Sequence, residues 1–154
     1  MIKTNRFPLI ILFVFLMCAL RLVNRDFYYD ELFSIKHFML APLGSIAGHY
    51  VNLNNHTLYS LVNAAYLRLI GVHDMEAILA RPWVLRLPQV IFAASTLTLV
   101  YRFGVRFLNK RVAVLAVLLL ATSIPFYYYS VAIRGYGLSM VLMMALIYET
   151  WDAK

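Results

Sequence analysis

Three apolar runs, Leu85–Phe103, Val112–Tyr129 and Gly135–Trp151, follow one another with only short links between them. Each is close to the roughly 20 residues a helix needs to cross about 30 Å of hydrocarbon. A fourth run, Phe7–Val23, opens the chain. Its Pro8 falls in the first helical turn, where a missing N–H costs little. Pro88 and Pro125 lie near the ends of their runs. Of the 154 residues, 63% are hydrophobic and 14% charged. A soluble domain has about 45–50% apolar and about 25% charged residues, so the excess is too large for one globular core. The sequence therefore predicts an all-α, membrane-embedded chain. It has about four transmembrane helices, at 7–23, 85–103, 112–129 and 135–151, and a long first extracytoplasmic loop, 24–84, that carries juxtamembrane helices.

The net charge is +7. The cations flank the apolar runs, which points to topology signals and not to nucleic acid. Lys3 and Arg6 precede the first run, Arg102, Arg106, Lys110 and Arg111 crowd the link between the second and third, and Lys154 follows the fourth. With alternating spans all three groups share one side, which predicts cytoplasmic termini. Arg21, Arg25, Arg81, Arg86 and Arg134 fall on the other side, with Tyr127, Tyr128 and Tyr129 as an aromatic belt. The first run is long for a signal peptide, and the bulky Leu20-Arg21-Leu22 offers no small-residue cleavage site, so an uncleaved span is expected. The single cysteine, Cys18, excludes an internal disulfide framework.

The loop has its own pattern. Residues 30–40 read as a helix ending before Pro42, 43–53 as a second short helix, and 57–70 as a third, closed by Gly71. Leu58, Leu61, Val62, Ala65, Tyr66 and Leu69 form one stripe of the third. It reads as a surface helix; as a full span it would reverse everything after it and put the 106–111 cations outside.

Most acidic residues lie in this loop. Asp30 and Glu31 sit near the membrane surface, where Asp30 is either a general base or metal ligand, or a helix cap with favourable dipole charge. His56 opens the third loop helix as a phosphate binder, a metal ligand or a structural cap. Arg134, beside Gly135 and Tyr136, and Arg86, at the mouth of the second span, either grip a phosphate or snorkel to headgroups. The chain has no glycine-rich phosphate loop, Cys/His metal cluster or nucleophilic triad pattern.

In order, these pieces resemble the polytopic glycosyltransferases of the GT-C fold, which include the protein O-mannosyltransferases and the aminoarabinose transferases of lipid A. Tyr29-Asp30-Glu31 looks like that family's acidic pair after the first span. Asn55-His56-Thr57-Leu58-Tyr59, followed by Leu69-Ile70-Gly71, looks like its His-Pro-Pro-Leu-Tyr … Leu-Phe-Gly stretch. Arg86-Leu87-Pro88 looks like its Arg-Leu-Pro, and Ser130 to Tyr136 like its Ser-x-x-x-Arg-x-Tyr. Thr57 departs from a proline, and Ala132 stands where many relatives carry an acid. The resemblance implies transfer of a sugar from a polyprenyl phosphate to a lipid, glycan or protein acceptor on the outer face of a bacterial inner (plasma) membrane. It implies Asp30 and Glu31 as the catalytic residues, His56, Arg86, Arg134 and Tyr136 at the donor phosphate, and Asp30 and His56 as candidates for a divalent metal. Such enzymes carry more spans, so the chain is expected to be the N-terminal part of one, or to be completed by a partner that supplies the rest. The competing reading is a non-catalytic membrane scaffold or assembly subunit. A catalytic site requires Asp30, His56 and Arg134 to converge on one cavity; a scaffold scatters them.

Overall fold

A computed structural model describes residues 6–48 and 56–152 of the chain. Lys3, Lys154 and Asn55, and the distal part of the 43–53 segment, lie outside these. The described residues are all-α and contain no strand. Helix α1 runs Phe7–Leu20. The loop region then builds α2 (Tyr29–Ser34), which passes into a π-helical turn at Ile35–Met39, α3 (Leu43–Gly48), α4 (Thr57–Leu69) and α5 (Met75–Ala80). The remainder is α6 (Trp83–Phe107), α7 (Lys110–Thr122), α8 (Ile124–Tyr129) and α9 (Tyr136–Asp152).

Of the helices described, α6 alone has both the length and the apolar composition to cross a membrane; it has 25 residues, whereas the apolar α1 has 14. Pro88 stays inside α6, one turn beyond its start, where it removes one hydrogen bond. The predicted third run is not one helix. Asn109 caps α7 by accepting from the Val112 N–H at 2.9 Å, and α7 stops at Ser123. The Ser123 hydroxyl accepts from the Phe126 N–H at 3.3 Å, and Pro125 occupies the first turn of α8. A capping serine followed by proline is a helix start, so the chain breaks and restarts there.

Helix α6 is the spine: α7, α9 and α1 all pack against it, and α1 also meets α7. Ile11, Phe15 and Ala19 of α1 interleave with Val90, Ala93 and Leu97 of α6, Val117 of α7 and Phe126 of α8. The approach of α6 to α7 is closest at Gly104, where an added Cβ would lie 2.7 Å from Ala113 Cβ and 2.8 Å from its Cα. A second core lies under the loop helices, where Ile35, Met39, Tyr59, Leu67 and Ile78 pack on Val84, Leu85 and Ile133.

Two details of the loop differ from the sequence reading. Helix α5 was not anticipated, although Asp74 caps it by accepting from the Ala77 N–H at 2.7 Å. More consequential is α4, whose apolar stripe faces outward. Leu58, Val62 and Leu69 are exposed, the last at 85%, while Tyr59, Ser60, Asn63, Ala64 and Leu67 are buried. The buried face is mixed: Tyr59 and Leu67 join the second core, while Ser60 and Asn63 are buried with them, near a polar centre in the interior.

Candidate functional site

That polar interior is centred on Glu31 and Arg86, each 2% exposed. Helix α2 starts after extended Tyr28, and Glu31, in its first turn, turns back so that Oε2 accepts from the Tyr28 N–H at 3.0 Å. The same oxygen takes Arg86 Nη2 at 3.1 Å, and Oε1 takes Nη1 at 3.3 Å, a two-pronged pair. Glu31 Oε1 also accepts from the Ile133 N–H at 2.7 Å. Arg86 further donates to the Val131 carbonyl at 2.8 Å and the Asp26 carbonyl at 2.9 Å, with its guanidinium 5.2 Å from the centre of the Phe27 ring. Buried charge is tolerated only when paired and hydrogen-bonded, and here the two side chains bond each other and five backbone groups, the fifth being the Arg25 carbonyl at 3.3 Å from Arg86 Nη2. They thereby tie three stretches together: the α2 start, the first turn of α6 and the 131–133 link.

Those ties fix the residues next door. Asp30, beside Glu31, and Arg134, beside Ile133, face each other and form an ion pair, with side chains 53% and 19% exposed. Together with Tyr28, Tyr128, Tyr129, Ala132 and Tyr136 they line a polar cleft of about 250 Å³. His56 does not line the cleft but packs beside it, against Tyr136 and Gly135. Its ring lies 5.5 Å from that of Tyr136, and Gly135 lets it approach: an added Cβ there would meet His56 Cγ at 2.7 Å. Ring contacts continue from Tyr136 to Tyr129 at 4.8 Å, to Tyr128 at 5.3 Å and on to Tyr28 at 6.2 Å, so aromatic faces wall the cleft. Partial burial, and then the nearby Arg134 charge, hold the His56 imidazole below its usual pKa, which favours the neutral ring. Burial drives the Tyr59 phenol well above its usual value, with Glu31 adding to the effect. Its hydroxyl, Asn63 Oδ1, Arg86 Nε and Gln89 Oε1 are buried polar atoms without a partner among the described residues.

The sequence candidates thus divide. Asp30, Arg134 and Tyr136 line one cleft, and His56 stands beside it through its contact with the Tyr136 ring. Glu31 touches its wall, but both its oxygens are engaged, and Arg86 lies beneath it with its Nη groups engaged. Neither Asp30 nor Glu31 supplies the cap to α2 as a side chain at the preceding position; Glu31 reaches back from the first turn. Among the described residues no group of three or more His, Cys, Asp or Glu side chains is placed to hold a metal ion, so Asp30 and His56 gain no third such ligand there. Tyr28, Tyr128 and Tyr129 were missed as cleft residues, the last two having been read as interface aromatics. Tyr59 and Asn63 were missed because they sit off the apolar stripe that was taken as the buried face. No family model, curated protein or solved structure matches the chain.

Proposed function

We propose that the chain is the N-terminal part of a membrane-embedded glycosyltransferase that moves a sugar from a polyprenyl phosphate to an acceptor hydroxyl at the extracytoplasmic surface. The observation that carries this reading is the cleft that Asp30 shares with Arg134 and Tyr136, about 100 positions away in the sequence, with His56 from a third stretch packed on Tyr136 beside it. A scaffold has no need to gather them.

The membrane setting is supported by the outer surface. Leu9 and Phe13 of α1, Leu119 of α7 and Leu146 of α9 are each more than 60% exposed. Helices apolar on both faces suit a lipid solvent. In this arrangement α1, α6, α7 with α8, and α9 cross the bilayer. At 1.5 Å per residue α7 alone reaches about 20 Å, and α7 with α8 nearly 30 Å. The cleft then lies at one face and the 102–111 cations at the other, which is cytoplasmic.

In the reaction the acceptor oxygen bonds to the anomeric carbon as the bond from that carbon to the phosphate oxygen breaks. Asp30 takes the acceptor proton, and the polyprenyl phosphate leaves as an anion. Arg134 meets the developing phosphate charge, and His56, held neutral, and Tyr136 give it hydrogen-bonding neighbours. Glu31 and Arg86, which the family resemblance assigns to the reaction and to the phosphate, are read here as positioning residues. The test is transfer from a polyprenyl-phosphate sugar by membranes containing the chain and whatever segment or partner completes it. Asp30→Asn should lose transfer by about 100-fold or more. Near-normal turnover by that variant would remove Asp30 as the base, and absence of transfer by the wild-type assembly would return the chain to the scaffold reading.

A further inference from the structure

We propose that Arg134 changes partners during the cycle: Asp30 holds it in the empty cleft, and an incoming phosphate takes it and frees the carboxylate. The proposal rests on the transferase reading and adds to it an order of events, donor before acceptor activation.

The geometry behind it is the ion pair between two side chains that the reaction needs apart. The Asp30 carboxylate accepts from the Arg134 guanidinium across the cleft wall. The Oδ2 so engaged is not presented to an acceptor hydroxyl, and the Nη2 so engaged is not presented to a phosphate. Glu31 cannot stand in as base, since it is buried and bonded to Arg86, Tyr28 and Ile133. The backbone cannot relieve the conflict either. Ile133 and Val131 are held by Glu31 and Arg86 just before Arg134, and Glu31 holds the α2 start just after Asp30. What has room to move is the Asp30 side chain, which is half exposed. A phosphate presents more charge and more acceptor oxygens to the planar guanidinium than one carboxylate does, so it wins the exchange. The carboxylate is released only where a donor is already bound.

The experiment is binding of farnesyl phosphate, with farnesol as the uncharged control, to the full chain in nanodiscs. The variants are Asp30→Asn, Arg134→Ala and Arg134→Lys. Removing the competitor should tighten binding, so Asp30→Asn binds farnesyl phosphate about two- to fivefold more tightly than wild type, the range of a partly exposed ion pair. Farnesol binding stays unchanged, and both Arg134 variants bind the phosphate more weakly. If Asp30→Asn binds the phosphate no better than wild type while Arg134→Ala loses it, the exchange is overturned and the phosphate site stands. If Arg134→Ala binds as wild type does, or nothing discriminates farnesyl phosphate from farnesol, the phosphate site itself falls, and the exchange with it.

Discussion

Glu31 Oε1 and the Ile133 amide nitrogen lie 2.7 Å apart, although 102 positions separate them in the sequence. That bond, with the Arg86 pair on the same carboxylate, makes the cleft a consequence of the interior and not of the loops around it.

Removing one partner of the buried pair leaves the other charged and unpaired. Arg86→Met and Glu31→Gln should each lower stability by about 3–5 kcal/mol. The double variant should cost less than the sum, because glutamine still offers one oxygen to a backbone N–H and no charge is stranded. Thermal unfolding in detergent measures this; strictly additive losses would mean the pair is not coupled.

Two glycines are held by sterics, with different neighbours. Gly135→Ala drives a methyl into the His56 side chain, and Gly104→Ala drives one into the Ala113 backbone. Overpacking costs about 1–3 kcal/mol. Gly104→Ala should sit at the top of that range, since a backbone cannot swing away, and Gly135→Ala at the bottom. His56→Gly, which removes both the Cγ at 2.7 Å and the Cβ at 2.8 Å, should rescue Gly135→Ala, read as recovery of melting temperature; no rescue would place His56 elsewhere.

The lowered pKa of His56 has a pH signature. The unfolded chain binds the proton more readily than the folded one, so folding is unaffected above the ordinary histidine value of about 6.5. Stability then falls as pH drops from there to the lowered folded pKa, and levels off beneath it. His56→Gln should flatten that segment of the stability–pH curve. An unchanged slope between pH 7 and 5 would show that the ring is not sheltered by Arg134 and the cleft.

Topology can be read with cysteine reporters once the exposed Cys18 is replaced by serine. Asn109→Cys should label only from the cytoplasmic side and Glu76→Cys only from the outside. Labelling of Asn109→Cys from outside would put α4 across the membrane.

Much of the helical outline was legible because helix ends carry local signals. Gly71, with φ of 73°, closes the α4 region, and Arg86-Leu87-Pro88 lies in the opening turns of α6. The break at Ser123 was written in Ser-Ile-Pro but hidden by the apolar residues on both sides. The partner of Glu31 was not legible, since adjacency to Asp30 says nothing about which of the two turns inward. The α4 face was misjudged because the more apolar stripe was assumed to seek the core, whereas the buried face is the one that carries Tyr59, Ser60, Asn63, Ala64 and Leu67.

The bond from Glu31 to Ile133 also sets a timetable. At about 5–20 residues per second, roughly 5–20 s of synthesis separate the two residues. Arg86 emerges 55 positions after Glu31 and can neutralise it early, whereas the amide that completes the carboxylate comes only with the segment bearing Arg134. A nascent chain therefore holds a charged, half-satisfied joint until the 131–133 segment arrives, and no chain shorter than that carries a closed cleft.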